Sequence, residues 1–371
     1  MAQFLLILLY VFIGIAVIQI IYYLFIFGKF SFAKTQESTA AKHVSVSVIV
    51  CAKNEEENVK NFIPLLANQN YSNFEIILID DASSDETLEV FEQFEKQYIN
   101  VKLVKVANNE AFWGNKKFAL TLGIKAATKD YLFFTDADCY PNSENWITEM
   151  SSHFTLHKTI VLGYGAYEKE PGFLNKLIRF ETLLTATQYF SWAKLGKPYM
   201  GVGRNLAYKK DEFFKVNGFI NHMKLRSGDD DLFINEAANK SNIAIAYNPE
   251  SFTYSKAKKT FKDWIMQKRR HISTAKYYKS SDKTQLGIFY FSQLFFFLIP
   301  IILLAFQFQW IIVTSIIAFR YLIAWISLGY SAGKLKEKDV MYWFPVLEII
   351  LIFTQLNVFI RNIFSKPVTW K

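Results

Sequence analysis

The stretch DYLFFTDADCYP, residues 130–141, places two acids, Asp136 and Asp138, one residue apart at the end of an apolar, aromatic run. Acids rarely end a buried strand without a task, so the run reads as a central strand whose carboxyl end carries a functional pair. Three segments precede it in the same rhythm: VSVSVIVCAKN (44–54), FEIILIDD (74–81) and VKLVKV (101–106). Helical patterns over 55–68, 85–98 and 115–127 separate them. Strands alternating with helices predict a parallel α/β sheet, and open sheets of that kind bind ligands at the carboxyl edge of their strands.

Beyond residue 141 the rhythm loosens. A strand IVLGYGAY (160–167), an aromatic helix over 173–194, a strand NLAYKK (205–210) and a helix beginning near Asp229 read as a platform for a substrate. No internal repeat is present.

The composition is 51% hydrophobic, with 36 Phe and 20 Tyr in 371 residues, and the apolar runs gather at the two ends. Residues 4–27 carry no charge and match the roughly 20 apolar residues that cross a bilayer as a helix. A basic leader and a small-residue cleavage site are both lacking, so the segment reads as a retained anchor. Lys29, Lys34 and Lys42 follow it and favour a cytoplasmic exit. Residues 286–306 and 310–330 are two further candidate spans, and 341–360 is a weaker third carrying Pro345, Glu348 and Asn357. Lys334, Lys336 and Lys338 then fall inside; the last segment either leaves Arg361, Lys366 and Lys371 outside or lies in the interface. Arg320, inside a span, either pairs within a helix bundle or snorkels. The chain thus divides into an anchor (1–30), a linker (31–43), an α/β domain (44–280) and a C-terminal membrane region (281–371).

The net charge of +9 includes no run of five basic residues, and no nucleic-acid motif accompanies it. Membrane orientation and an anionic substrate account for it instead. The two cysteines, Cys51 and Cys139, fall in strand patterns, so they read as core packing in a reduced, cytoplasmic protein.

Three acidic clusters punctuate the middle: Asp80 with Asp81, Asp136 with Asp138, and Asp229, Asp230 and Asp231. Taken singly, each is also what a turn or helix cap uses. An Asp-x-Asp at a strand end has a further use, because it aims two carboxylates at one hard divalent cation, which neutralises a diphosphate.

In order, VSVIVCAKNEEENV, IILIDDASSDET, GNKKFAL, YLFFTDADCYP, GVGRNLAY, SGDDDLFINEA and QKRRH resemble the motifs of family 2 glycosyltransferases, over about 44–278. The resemblance implies a GT-A fold, a Rossmann-like nucleotide-diphospho-sugar transferase domain, here between N-terminal and C-terminal transmembrane helices. It implies that Ala52, Glu55 and Asp81, with Asp80 adjacent, hold the nucleotide base and ribose. It places Lys116 or Lys117 near the nucleotide, the inserted Asn115 leaving that choice open, and gives Asp136 and Asp138 a magnesium or manganese ion and the nucleotide sugar. SGDDDL resembles the Gly-Asp-Asp of hyaluronan-type synthases, which makes Asp230 the general base, with Asp229 beside the diphosphate or, like Asp231, capping a helix. Gln267 and Arg270 match Q-x-x-R-W as diphosphate or acceptor contacts, with His271 in place of the Trp. Gly203 falls in an acceptor-side loop or a plain turn. Residues 261–278 also read as an amphipathic interfacial helix, with Phe261, Trp264, Ile265, Ile272 and Tyr278 against lipid.

The expectation is an inverting glycosyltransferase that moves sugar from a nucleotide-diphosphate donor to a lipid-linked saccharide, lipid or glycan at the cytoplasmic face of the cell membrane. The alternatives are a processive polysaccharide synthase, for which the missing Trp removes a platform, and a catalytically silent nucleotide-sugar scaffold.

Overall fold

A computed structural model of the chain describes residues 1–36, 44–107, 116–225 and 227–365. The end of the polar linker with Lys42, the inserted Asn115, and Lys366 and Lys371 lie outside the described residues.

The first strand, β1 (Val46–Ala52), is VSVIVCA, buried at every position. A strand covered on both faces has no reason to alternate, which is why its sequence is a continuous apolar run. It pairs in parallel with β2 (Phe74–Asp80) and with β4 (Tyr131–Asp136), and β2 pairs in parallel with β3 (Val101–Lys105). The intervening helices are Glu56–Ala67, Thr87–Gln97 and Lys116–Ala126. Each agrees with the periodicity to within a few residues.

The second half departs from the parallel scheme. IVLGYGAY is not one strand: β6 (Ile160–Leu162) stays in the main sheet, while β7 (Gly165–Tyr167) joins a second one. The break follows from Asn205, whose buried amide occupies the space beside Gly163. It donates to the carbonyls of Tyr164 and Ser251 and accepts from the Trp146 indole, so the Tyr164 carbonyl at the break is satisfied. The main sheet runs β3-β2-β1-β4-β8-β6-β9, with β8 (Leu206–Lys209) antiparallel to both β4 and β6, and β9 (Ile243–Ile245) at the edge. The small sheet is β5-β10-β7, from β5 (Cys139–Pro141) and β10 (Thr253–Ser255). The turn holding Asp138 therefore passes from one sheet to the other.

Four helices are long and apolar enough to cross a membrane: Ala2–Ser31, Ser280–Ala305, Trp310–Lys334 and Lys338–Phe364. The N-terminal one is integral to the fold rather than tethered to it. Tyr22, Tyr23, Phe27 and Phe30 lie in the same apolar cluster as Phe190 and Tyr247 of the α/β domain. Arg320 pairs inside the bundle. Its guanidinium donates to both oxygens of Glu348 (2.6 and 2.7 Å) and to Gln19 (2.6 Å), with Arg320 and Glu348 at 0% and 1% exposure. At zero exposure snorkelling is ruled out. Cys51 and Cys139 are both free and buried.

Candidate active site

The carboxyl ends of β1, β2 and β4 lie side by side, because Ala52 is in register with Asp80 and Cys51 with Asp136. Asp80 ends β2 and its carboxylate accepts from the Ser83 N–H, a turn-capping role. Asp85 caps the next helix through Thr87. The capping reading of DDASSDET thus holds for these two acids. Asp81 differs: it is buried, one carboxylate oxygen has no partner, and burial pushes its carboxyl up. Such an orphaned oxygen beside Ala52, whose carbonyl accepts from the Asp81 N–H, suits a donor from a bound base or ribose. Glu55 stands at the start of the helix Glu56–Ala67 and accepts from Asn58.

Asp136 and Asp138 sit within one group with Cys139, their ligand atoms all within 4.8 Å of one another. Burial, with Asp136 adjacent, pushes the Asp138 carboxyl up against the pull of Arg204. The buried Cys139 thiol is pushed up as well, and its S–H is directed at Asp138. The two carboxylates of the group are the oxygen donors that a hard divalent cation prefers.

The structure separates the two adjacent lysines. Lys117 is buried and donates to the carbonyls of His222, Leu225 and Ser227 (2.9, 3.0 and 2.6 Å), and burial lowers its ammonium to about 8. It clasps the loop that leads into the Asp229–Asp231 cluster. Lys116 instead faces the acids, with Nζ 2.6 Å from Asp136 and 3.4 Å from Asp229. Against the cost of burial, these two carboxylates hold the Lys116 ammonium well above its usual range. Asp229 shows the converse: burial opposes its charge, but Lys116 keeps its carboxyl below the ordinary value.

Asp136, Asp229, Asp230, Lys116 and Gly203 line one small, partly open cavity at this edge. Asp230 occupies the cap position of the helix Asp231–Ala237, with Oδ1 accepting from the Asp231 N–H and Oδ2 from the Gly203 N–H, each at 2.7 Å. Burial, then Asp229 and Asp231, pushes its carboxyl up to about 8. A carboxylate tuned that high is suited to accepting a proton near neutral pH. Asp231 is turned away, accepting from the hydroxyls of Thr274 and Tyr278. Asp230 thus stands at the cap position, and Oδ1 of Asp231 accepts from the first-turn Leu232 N–H.

Gln267 and Arg270 are half-buried on the helix Phe261–Ile272, which reaches the site through Thr274 and Asp231. The lipid-facing reading of this helix is corrected at two positions. Trp264 and Tyr278 are buried in the protein core, because the helix is sandwiched between the catalytic core and the last apolar helix, while Phe261 remains exposed. His271 is solvent-accessible, yet dense surroundings and the cations Lys268, Arg270, Arg204 and Lys116 hold its imidazole neutral.

Arg204 carries a role that the motif GVGRN leaves unassigned. Its guanidinium donates to the Ala166 carbonyl (3.1 Å) and the Ser255 hydroxyl (2.9 Å) and lies 4.2 Å from the centre of the Tyr167 ring. A Cβ at position 165 would come within 2.9 Å of the Arg204 side chain, so Gly165 makes room for it. The result is a fixed positive charge beside Asp138 and Asp136. The only sequence sign of it is an arginine in a glycine turn next to the cleft.

A Glycosyl transferase family 2 model matches residues 47–226, and a Glycosyl transferase family group 2 model matches residues 137–353, more than half of the chain. The chain is a family 2 glycosyltransferase. This glycosyltransferase is 25% identical over 225 residues to the poly(ribitol-phosphate) beta-glucosyltransferase of Bacillus spizizenii, covering 56% of this chain and 35% of that protein. It is 32% identical over 195 residues to the 4,4'-diaponeurosporenoate glycosyltransferase of Staphylococcus haemolyticus, covering 52% of this chain and 50% of that one. The match thus spans a third to a half of those relatives' length. Among solved structures, the mannosyltransferase PcManGT from Pyrobaculum calidifontis, in complex with GDP-Man and Mn2+, superimposes with a TM-score of 0.57. At 14% identity it covers 95% of this chain and 98% of that one, which shows a shared GT-A fold.

Proposed function

We propose that this glycosyltransferase is a metal-dependent, inverting enzyme that transfers a sugar from a nucleotide-diphosphate donor to a lipid, lipid-linked saccharide or growing glycan at the cytoplasmic face of the cell membrane. The observation that carries the reading is the single cavity lined by Asp136, Lys116, Asp229 and Asp230. Metal and diphosphate side, cation and candidate base all meet there. Asp136 and Asp138 would hold magnesium or manganese, and such an ion supplies charge neutralisation for a departing diphosphate. Mn2+ and GDP-Man in PcManGT, and the envelope polymer in the name of the Bacillus relative, support the metal, the donor class and an acceptor of the cell envelope.

The chain's own groups divide the work. Asp81, with its free oxygen at the end of β2, holds the nucleoside, assisted by Ala52 and Glu55 at the neighbouring strand end. Lys116 screens Asp136 from Asp229 and faces the diphosphate; Gln267 and Arg270 close over it from the interfacial helix. Asp230 takes the proton of the acceptor hydroxyl as that oxygen attacks the anomeric carbon, and the nucleoside diphosphate leaves from the opposite side. The Gly203 N–H keeps the Asp230 carboxylate aimed while it waits.

The test is a screen of nucleotide sugars for metal-dependent release of nucleoside diphosphate by detergent-solubilised enzyme. Asp138→Ala and Asp230→Asn should both abolish turnover while the protein stays folded. Full turnover in both variants would sink the assignment. Donor binding without transfer or hydrolysis, across a broad acceptor panel, would point to a scaffold instead.

A further inference from the structure

Three of the four apolar helices share a cluster of their own. Leu5, Leu9 and Phe12 of the first, Phe296 and Leu303 of the second and Val313 of the third pack together with no residue of the catalytic domain. The fourth helix, Phe344–Phe364, contributes no apolar residue to it and meets the bundle near its start through Glu348, which accepts from Arg320, Tyr23 and Gln293. Its buried residues Phe344, Leu347 and Leu351 belong to the larger cluster that contains the catalytic core and, from the other three helices, Tyr23, Phe27, Phe289, Ala324 and Leu328.

Both ends of this helix touch the catalytic domain. At its start the Phe344 ring lies 5.8 Å from Phe180, and the Lys176 ammonium lies 5.7 Å from the Trp343 ring centre. At its end Asn362 and Arg269 exchange hydrogen bonds of 2.9 Å, and Arg269 also donates to the Ser365 carbonyl and hydroxyl. Phe180 and Arg269 stand on helices that are joined by the ion pair of Glu181 with Lys268. A helix of 21 residues is about 31 Å long, close to the thickness of a bilayer's hydrocarbon core. Were it to cross, one end would lie a membrane's width away from the catalytic domain; neither does.

Its free face is nonetheless made for lipid, with Ile349, Phe353, Ile360 and Phe364 exposed. Between it and Phe261–Ile272 opens a groove lined by Ile265, Phe353, Thr354, Asn357 and Arg361. Apolar walls, neutral hydrogen-bonding groups and one cation, in that order, are the chemistry of the boundary between lipid chains and head groups. No acid pairs with Arg361 among the described residues, so the groove complements an anion.

We infer that Phe344–Phe364 lies along the membrane surface on the catalytic side instead of crossing it, and that its groove with Phe261–Ile272 seats the anionic head group of a membrane lipid. This rests on the membrane reading of the other three helices. With three crossings, Ser365 and the catalytic domain share one side of the bilayer and Gln307 lies on the other. The positive charge near the chain end then falls on the catalytic side, as the positive-inside tendency favours.

Single cysteines at Ser365, Ser72 and Gln307 of the full chain, labelled with an impermeant maleimide in vesicles of defined orientation, test the topology. The native cysteines are buried and stay silent. Ser365→Cys is expected to label in the same vesicles as Ser72→Cys and not with Gln307→Cys. Labelling together with Gln307→Cys would show a crossing helix and overturn the inference. Equal labelling of all three in both orientations would instead overturn the membrane reading beneath it. For the groove, native mass spectrometry of the purified chain titrated with phosphatidylglycerol or phosphatidylcholine gives the readout. Arg361→Gln should lose at least about threefold in phosphatidylglycerol affinity and leave phosphatidylcholine unchanged; equal affinity in the variant would remove the head-group assignment.

Discussion

The backbone N–H of Gly203 donates a 2.7 Å hydrogen bond to Oδ2 of Asp230, tying the turn before β8 to the cap of the helix Asp231–Ala237. Two loops that are 27 residues apart thereby fix one carboxylate at the cavity that also contains Asp136 and Lys116. A base held by the backbone keeps its aim whatever the acceptor does.

Asp230→Asn keeps an acceptor for only one of the two backbone N–H groups that the carboxylate binds, since the amide NH2 cannot accept, and it removes the capacity to take a proton. The expected outcome in a steady-state assay is a loss of about 10²- to 10⁴-fold in kcat, with donor KM little changed. In wild type, burial and the flanking acids raise this carboxyl to about 8, so the free enzyme holds it protonated below that value. kcat/KM should therefore rise with pH on a limb well above the ordinary carboxylate range. A limb near pH 4 would show that Asp230 is not the base.

Lys116 lies between Asp136 and Asp229, and Lys116→Met leaves two partly buried carboxylates without their cation. Unfolding in the absence of metal should show a loss of about 2 kcal/mol, below the full buried-pair value because Asp136 is partly exposed. Added Mn2+ should restore part of it if Asp136 is a ligand. A variant as stable as wild type, with or without metal, would place the ion pair among the inconsequential ones.

Arg204 is pinned beside Asp138 and Asp136 by a carbonyl, a hydroxyl and a ring. Because it competes with a metal for the field of those acids, Arg204→Ala should bind Mn2+ more tightly in calorimetry, roughly three- to tenfold by the Coulomb scale at short range. Turnover should fall, and Arg204→Lys should not restore it, since an ammonium cannot make the planar contacts. Weaker metal binding in Arg204→Ala would contradict this arrangement.

Arg320 and Glu348 form a fully buried pair that also binds Gln19, Tyr23 and Gln293. Arg320→Met alone should destabilise the detergent-solubilised protein by about 3–5 kcal/mol, because it strands the carboxylate. The double variant Arg320→Met with Glu348→Leu should recover much of that loss in thermal unfolding. Equal losses in the single and double variants would mean that the pair contributes stability beyond charge balance.

The sequence by itself determined the strand and helix alternation, because buried parallel strands must be continuous apolar runs and their helices amphipathic. It also determined which acids stand at strand ends, since Asp80 and Asp136 follow directly from where β2 and β4 stop. Tertiary structure alone decided what lies across a gap. Lys116 and Lys117 are adjacent and identical in type, yet the first faces Asp136 while the second clasps three carbonyls, a choice set by the packing of their helix. IVLGYGAY reads as one strand until Asn205 fills the space beside Gly163 and forces the chain into two sheets. Arg204 gains its meaning only from Tyr167, Ala166 and Ser255, which no local pattern connects to it. Hydropathy counts apolar residues along a helix and so gives four candidates for crossing, the last of them the weakest. Which of them runs beside the catalytic domain depends on contacts such as Phe344 with Phe180 and Asn362 with Arg269, between residues far apart in the chain.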